Sequence, residues 1–320
     1  MIYDVRHRTT FVYEETVSLS QHVLHLAPRA HPRQRCINFA LTIEPQPSDG
    51  SEGQDYFGNP VHYLTVQEPH TRFVVEARSR VEVLPDARPA NLAASRPWEA
   101  IRAAAETGGA EASEAREVRD ARDVREAREA GEAVAALDAS QFAFESPHVQ
   151  VSGAVHAYAR ESFPPSRPIL EAVRDLTARI YRDFEYRGGV SDVSTPVAEV
   201  LRMRQGVCQD FAHVEIACLR SLGLPARYVS GYLLTRPPEG KEKLLGADAS
   251  HAWISVWAGA HGWVDFDPTN DMMPGVEHVT LAFGRDYGDV SPINGFIVGG
   301  GAHQLQVAVD VIPVPSLTVR

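Results

Sequence analysis

The chain has 320 residues, of which 44% are hydrophobic and 23% charged, a balance typical of a globular protein large enough for two domains. Its formal net charge of −11 and its pI near 5.6 argue against nucleic acid or an anionic membrane as a partner. Three cysteines do not make a disulfide framework, no apolar run is long enough to span a membrane, and the N-terminus lacks the apolar region of a signal peptide. We therefore expect a cytoplasmic protein.

The first 90 residues alternate between apolar and polar positions. Tyr3, Val5 and His7 fall on one face, and RFVVEARSRVEVLP (72–85) repeats the period of two with β-branched residues. This pattern predicts a small antiparallel β domain over residues 1–90.

Residues 114–128 consist of five consecutive triplets, each with an acid, a small residue and an arginine. A three-residue repeat shifts by about 60° per step around an α-helix, so its Ala and Val positions never form an apolar stripe. Such a segment is typical of a solvated charged helix or of disorder, and an interaction arm is the less favoured alternative. We expect residues 91–145 to be a charged linker or insertion, partly helical or disordered.

Residues 146–320 change from helical to strand periodicity. Apolar side chains recur at helical spacing after Pro168, Thr195-Pro196 opens a second helix, and a third helix begins at Cys208. The period then becomes two in ARYVSGYLL, HAWISVWA, GWVDFD and QLQVAVDVIPV. Helices followed by an antiparallel sheet indicate an α+β domain. Packing of its last strands on the N-terminal region is an alternative to packing within this domain.

Cys208 lies in the first turn of its predicted helix, where unpaired N–H groups and the helix dipole favour a thiolate. Asp210 in the same turn opposes that effect. Cys218 falls on the predicted apolar face of the helix with Val214 and Leu222, and we expect it to be a core residue. Position alone thus leaves Cys208 open as a nucleophile or as a core residue.

A thiol nucleophile needs a base and a group that orients the base, and SHAWISVWAGAHGWVDFDPTN offers both. His251 begins one predicted strand and Asp267 ends the next. A loop with an odd number of residues puts them on the same face of the hairpin: five residues place them directly opposite and three place them one diagonal apart. Asp265 has the same parity and remains an alternative, Trp253 shares the face and is positioned to cover the base, and His261 reads as a solvated turn residue.

Metal binding is the competing use of these residue types. The sequence has no CxxC and no HExxH motif, and the candidate triad is dispersed, so the indication of a zinc site is weak. A looser N-terminal group is also disfavoured as a metal site: His22, His25, His31 and Cys36. The glycine run 299–301 is not followed by a helix and does not predict a phosphate-binding loop. We predict neither a metal nor a cofactor.

The segments GVCQDFAHVEIACLRSLGLPARYVSGY and SHAWISVWAGAHGWVDFDPTN together resemble the core of the transglutaminase-like superfamily, and in particular bacterial members often described as cysteine proteases. FGRDYGDVSPINGFIVGGG is similar to a further block of that group, and YDVRHRTTFVYEETVSLSQHVLHLAPR resembles its N-terminal β region. The resemblance covers most of the chain except residues 90–145.

This resemblance implies a papain-like α+β catalytic domain over residues 146–320, preceded by the N-terminal antiparallel β domain. It implies Cys208 as nucleophile, His251 as base and Asp267, in preference to Asp265, as the orienting acid. The function expected is a thiol hydrolase that cleaves an amide, peptide or isopeptide bond of a peptide or protein through a thioester. The alternative is a protein-glutamine transglutaminase, and a non-catalytic scaffold is less favoured because all three residues are present.

Overall fold

The computed structural model describes residues 1–85, 89–117, 124–235 and 249–315, with the backbone alone given for 108–117, 124–130 and 249. The centre of the triplet repeat, residues 118–123, lies outside the described residues. The helices are α1 (Trp98–Glu117), α2 (Val124–Ser140), α3 (Gly153–Arg160), α4 (Ile169–Asp183), α5 (Val197–Met203), α6 (Cys208–Ser221) and α7 (Tyr287–Val290). The strands are β1 (Ile2–Leu24), β2 (Gln34–Glu44), β3 (Asp49–Gln54), β4 (Pro60–Val66), β5 (His70–Val83), β6 (Glu185–Tyr186), β7 (Gln205–Gly206), β8 (Ala226–Leu233), β9 (Ala249–Trp257), β10 (Trp263–Phe266), β11 (His278–Gly284), β12 (Ile293–Gly299) and β13 (His303–Val314).

The long strand β1 lies at the centre of a seven-stranded antiparallel sheet, the N-terminal sheet. Its first half pairs with β5 on one edge and β13 on the other, and its second half pairs with β4 and β12. Tyr3, Val5 and His7 are all buried, as the period of two predicts. The predicted antiparallel β region is thus confirmed, and two C-terminal strands complete it. Domain boundaries at residues 90 and 145 stay a prediction.

A second antiparallel sheet has the order β10-β9-β8-β11 and packs against α6. Three of its strands, β8, β9 and β10, are period-two segments of the sequence, whereas β11 was not predicted. The fourth predicted segment forms β13 and joins the N-terminal sheet instead. The predicted α+β class is confirmed. Within the described ranges, no helix is both long enough and apolar enough to cross a bilayer.

Helix α6 is buried along almost its whole length and on every side, whereas the sequence predicted a single apolar face. It lies between the second sheet and α3, α4 and α5, so its polar side chains need partners inside the protein. Arg220 shows how this is met: its guanidinium donates to the carbonyl oxygens of Phe142, Ala226 and Arg285. The other buried polar residues of α6 are Asp210, His213 and Glu215.

The helices α1 and α2 contact one another, and each includes one end of the triplet repeat. Their described side chains include buried residues of the main core, among them Trp98, Ile101 and Ala136. The Trp98 indole N–H donates to the Pro164 carbonyl oxygen at 3.0 Å. The ends of this segment therefore pack on the core even though the repeat itself has no apolar stripe.

Candidate active site

Cys208 begins α6 directly after a short bend of the chain. Helix α5 ends at Met203, Arg204 adopts a left-handed conformation (φ 56°), and β7 pairs in parallel with β6. Gly206 is required at this bend, because a Cβ there would lie 2.6 Å from the Asp210 Oδ2 atom. The bend leaves Cys208 half-buried at the helix N-terminus, with its backbone N–H in the first turn.

Asp210 closes the start of α6. Its Oδ2 atom accepts from the Val207 backbone N–H at 2.8 Å and from the Ser191 hydroxyl at 2.6 Å. Burial raises the pKa of this carboxyl against the opposing effect of those two hydrogen bonds. Asp210 is thus a helix cap, in addition to being the acidic neighbour that the sequence analysis identified.

The hairpin of β9 and β10 brings His251 and Asp267 together. Trp263 pairs with Trp257, so the loop has five residues and an odd count, as the same-face prediction requires. The register is shifted by one step from the directly opposite arrangement: Asp267 follows the end of β10 one diagonal from His251. The His251 Nε2 and Asp267 Oδ2 atoms lie 2.7 Å apart. His261 lies in the turn and is exposed, as expected.

The Asp267 carboxylate is fully buried and surrounded by donors. Oδ2 also contacts Asn270 Nδ2 at 2.7 Å and His278 Nε2 at 3.2 Å, while Oδ1 accepts from the backbone N–H groups of Thr269 and Asn270. Burial alone would raise the pKa of this carboxyl, but the hydrogen bonds from His251 and His278, the His251 charge and the Asn270 amide together hold it well below its usual range. Asp267 is therefore an anion at neutral pH.

His251 contacts both of the other predicted site residues. Burial lowers its pKa, but hydrogen bonds with Asp267 and Cys208 and the charges of the same two groups outweigh burial and raise it to about 10. The imidazole is accordingly protonated at neutral pH, between a carboxylate and the Cys208 side chain. The three residues named from the sequence thus form one continuous set of contacts.

Trp253 covers this set, with its ring centroid 6.0 Å from that of His251 and 5.2 Å from that of His278. Gly231 makes room for it, because a Cβ there would lie 2.5 Å from the Trp253 ring and 2.2 Å from the Val279 carbonyl oxygen. Asp265, the alternative acid, accepts instead from the Trp253 indole N–H at 3.3 Å. Geometry thus favours Asp267 as the partner of His251.

A cleft of about 490 Å³, the Cys208 cleft, opens beside the thiol. One wall consists of cross-strand pairs of β1 and β13, namely His7–Val309, Thr9–Val307 and Phe11–Leu305. Residues of β8, β9, β12, α7 and the start of α6 line the rest. Among the described residues, no Asp, Glu, Lys or Arg lines this cleft. The N-terminal sheet thus contributes directly to the surroundings of Cys208.

Two residues of this site were not found by sequence reasoning. His278 begins β11 and Asn270 follows the DPT step, and both meet Asp267 only through the fold. Nothing local in the sequence marks His278, because its partner is reached across the second sheet. Asn270 directly follows the DPT step in the sequence, but no periodic pattern predicts that its side chain contacts Asp267.

The same region contains a group of three side chains with metal-ligating atoms, His251, Asp267 and His278, all within 4.8 Å of one another. Both imidazole Nε2 atoms are directed at one carboxylate oxygen at hydrogen-bond distances. The three side chains therefore bind one another. In the N-terminal group disfavoured above, His22 stacks on Phe73 and His25 contacts Asp55.

Comparisons with known proteins agree with this architecture. The family described as transglutaminase-like superfamily matches residues 156–268, and the bacterial transglutaminase-like N-terminal region matches residues 3–82. An uncharacterized protein of Mycobacterium tuberculosis is 41% identical over 320 residues, covering 97% of this chain and 92% of that protein.

Two further similarities are more limited. A crystal structure from Cytophaga hutchinsonii, described as a "Putative Cysteine Protease", aligns with a TM-score of 0.68 at 21% identity, covering 98% of this chain and 92% of that one, which shows a common fold. A protein-glutamine gamma-glutamyltransferase of Pseudomonas aeruginosa is 36% identical over 72 residues, which are 22% of this chain and 11% of that protein. The chain belongs to the transglutaminase-like superfamily and carries the bacterial transglutaminase-like N-terminal region.

Proposed function

We propose that the protein is a thiol hydrolase that cleaves an amide, peptide or isopeptide bond in a peptide or protein. Cys208 is the nucleophile, His251 the acid–base group and Asp267 the residue that orients it. The observation that carries the proposal is the position of the His251 imidazole, which lies 2.7 Å from the Asp267 carboxylate and lines the same cleft as Cys208, whose side chain helps to raise the His251 pKa.

The electrostatics of the site support this assignment. A protonated, buried imidazole lies beside Cys208, and the anionic Asp267 keeps this imidazole charged and oriented. His251 is thus positioned to exchange protons with the reacting groups at Cys208.

The reaction proceeds in two balanced halves. The Cys208 Sγ atom attacks the carbonyl carbon, the C=O electron pair moves to oxygen, and collapse of this intermediate expels the amine, which takes its proton from His251. The remaining thioester is attacked by water, which gives a proton to the now neutral His251. The second collapse releases the carboxylic acid and restores the thiolate and the imidazolium. The Cys208 backbone N–H, in the first turn of α6, donates to the oxyanion.

The second candidate is protein-glutamine transglutaminase activity, favoured by the local similarity to the gamma-glutamyltransferase of P. aeruginosa. The same residues would form the same thioester, with a primary amine replacing water in the second half. The two functions therefore differ only in which nucleophile reaches the acyl group.

One assay separates these functions. Purified protein is incubated with a panel of glutamine-containing and acidic peptides, with and without a fluorescent primary amine, and the products are identified by mass spectrometry. We expect ammonia or peptide release without amine incorporation. Incorporation would replace the hydrolase with the transferase.

A non-catalytic scaffold is tested in the same experiment with Cys208→Ala as the negative control and Cys218→Ala as the matched cysteine control. Absence of turnover together with absence of Cys208 alkylation by iodoacetamide near neutral pH would overturn both catalytic functions.

A further inference from the structure

A second cavity, of about 450 Å³, lies where the loop before β2 meets the second sheet. We call it the Arg227 cavity. Its size is that of a small-molecule pocket, and none of the three proposed catalytic residues lines it. The apolar part of its wall is formed by Val229, Trp263, Val264, Met273, Pro274 and Phe283.

Arg227 is the central charged group of this cavity. Its Cζ atom lies 4.2 Å from the ring centroid of Trp263 and 3.5 Å from that of Phe283, so aromatic rings contact the guanidinium closely. The Nε atom has no hydrogen-bond partner among the described residues. Burial lowers the pKa of Arg227 to about 9, with Asp265 raising it and Arg29 lowering it. Arg227 is thus a half-buried cation whose Nε–H group has no acceptor among the described residues.

The carboxylate of the cavity is already engaged. Asp265 accepts from Arg33 at 3.3 Å and from the Trp253 indole N–H at 3.3 Å. Burial is the main effect that lowers the pKa of His31 to about 4, so this lining residue is neutral at pH 7. With the charges of Arg33 and Asp265 offsetting each other, the described lining retains one positive charge, in a chain whose net charge is −11.

We propose that the Arg227 cavity is a binding site for a small monocarboxylic acid with an apolar body. The planar carboxylate matches the N–H edge of a guanidinium, a single negative charge matches the excess of one positive charge, and the apolar body contacts the hydrophobic wall. A dianion such as phosphate would be overcharged for this site and would leave the apolar wall without a partner. The proposal is independent of the reaction at Cys208.

Thermal unfolding tests it in the Cys208→Ala full-length chain, which removes turnover as a complication. The Tm is measured at constant ionic strength with 3-phenylpropanoate, with 3-phenylpropan-1-ol and with inorganic phosphate. We expect 3-phenylpropanoate to raise the Tm in a saturable way at concentrations up to about 10 mM, and the alcohol and phosphate to have much smaller effects. An equal shift with the alcohol, a larger shift with phosphate, or no shift with 3-phenylpropanoate would overturn the proposal.

Arginine variants place the ligand. Arg227→Met is expected to abolish the shift, whereas Arg35→Met should retain it, because Arg35 is a largely exposed arginine of β2 paired with Glu82 at 2.9 Å. Arg227→Lys keeps the charge without the planar edge and serves if Arg227→Met fails to fold. Its affinity by calorimetry, at a temperature where circular dichroism shows a folded chain, should fall at least about tenfold. Unchanged affinity in Arg227→Lys, or a shift that survives Arg227→Met, would refute the site.

Discussion

The Cys208 cleft and the Arg227 cavity are similar in volume, about 490 and 450 Å³, and both adjoin β8. They differ in whether the charged side chains beside them are paired. Successive residues of β8 alternate between them: Arg227 and Val229 line the cavity, and Tyr228 and Ser230 line the cleft. Beside the cleft, the buried charges of His251 and Asp267 are paired within the chain. In the cavity, the Nε atom of Arg227 has no hydrogen-bond partner among the residues that the structure describes. A site that is electrostatically complete is suited to chemistry on a neutral amide, and an incomplete one to binding an anion.

Removal of the nucleophile should give the largest effect and should separate the two regions. We expect Cys208→Ala to lose turnover by at least about 10³-fold, because no other group in the cleft can form the thioester. The Tm response to 3-phenylpropanoate should remain, because Cys208 does not line the Arg227 cavity. Peptide release within about tenfold of the unmodified chain would contradict the assignment of Cys208.

The two aspartates of the hairpin offer a matched comparison. Asp267→Asn leaves an amide where His251 needs an anion, and kcat/KM should fall on the order of 10²- to 10⁴-fold. Asp265→Asn, two residues earlier and bonded to Trp253 and Arg33, should cost less than about tenfold. The same Asp265→Asn change removes the negative charge of the Arg227 cavity and should strengthen 3-phenylpropanoate binding. Equal kinetic losses in the two variants would remove the distinction between them.

The pH dependence tests whether the charge on His251 is held by its neighbours. Its pKa in the folded chain, about 10, lies above the 6.5 of an ordinary histidine, so folding favours the protonated form. This contribution to stability is complete below pH 6.5 and is lost as the pH rises through about 10. Turnover should decline over the same alkaline range, because neutral His251 has no proton for the leaving amine.

The measurements are kcat/KM and Tm from pH 6 to 10.5, with His251→Gln as the control for stability. The Tm advantage of the unmodified chain over this variant should shrink toward pH 10. An advantage that grows with pH, or an alkaline limb of kcat/KM near pH 7, would show that His251 is not held protonated.

His278 supplies a smaller effect that probes positioning. It contacts Asp267 but does not line the Cys208 cleft, so we expect His278→Leu to lower kcat about tenfold with little change in KM. His278→Gln retains an N–H donor and should recover part of the loss. A change confined to KM, or no difference between the two variants, would indicate a purely structural role.

His278 also shows where sequence reasoning ends. The parity of His251 and Asp267 follows from the period of a strand, and the structure confirms the shared face and the odd loop. The exact register could not be predicted, because it depends on where the turn begins. In the structure His251 and Asp267 lie one diagonal apart instead of directly opposite. The contact of His278 with Asp267 depends on β11 joining β8, a pairing between distant segments that no local pattern encodes.

Helix α6 illustrates the same limit in packing. Its start at Cys208 was predicted, but its complete burial was not, because polar residues such as Arg220 and Glu215 are read as solvated in a sequence. Their burial is possible because carbonyl groups of separate loops and the Thr177 hydroxyl meet them in the fold. Likewise, Arg227 appears in the sequence as an ordinary strand residue, and only the fold places it between Trp263 and Phe283.

The smallest kinetic effect is expected for Cys218, ten residues after Cys208 in the same helix. Its thiol is fully buried, with Sγ 3.8 Å from the Val155 carbonyl oxygen, and burial, followed by the neighbouring Glu215, raises its pKa far above that of an ordinary thiol. Cys218→Ala should change kcat less than about twofold and cost about 1 kcal/mol of unfolding free energy, since it only leaves a small void.

The measurements are urea unfolding, peptide release and the site of iodoacetamide labelling by mass spectrometry. Label should appear on Cys208 and be absent from Cys218 in the folded chain, because a buried neutral thiol is a poor nucleophile. If Cys218→Ala folded well yet lost as much kcat as Cys208→Ala, the loss of activity would not depend on which cysteine of α6 is removed. The assignment of Cys208, at the end of α6 that faces the cleft, as the nucleophile would then be wrong. The proposed difference between the Cys208 cleft and the Arg227 cavity would lose its catalytic half.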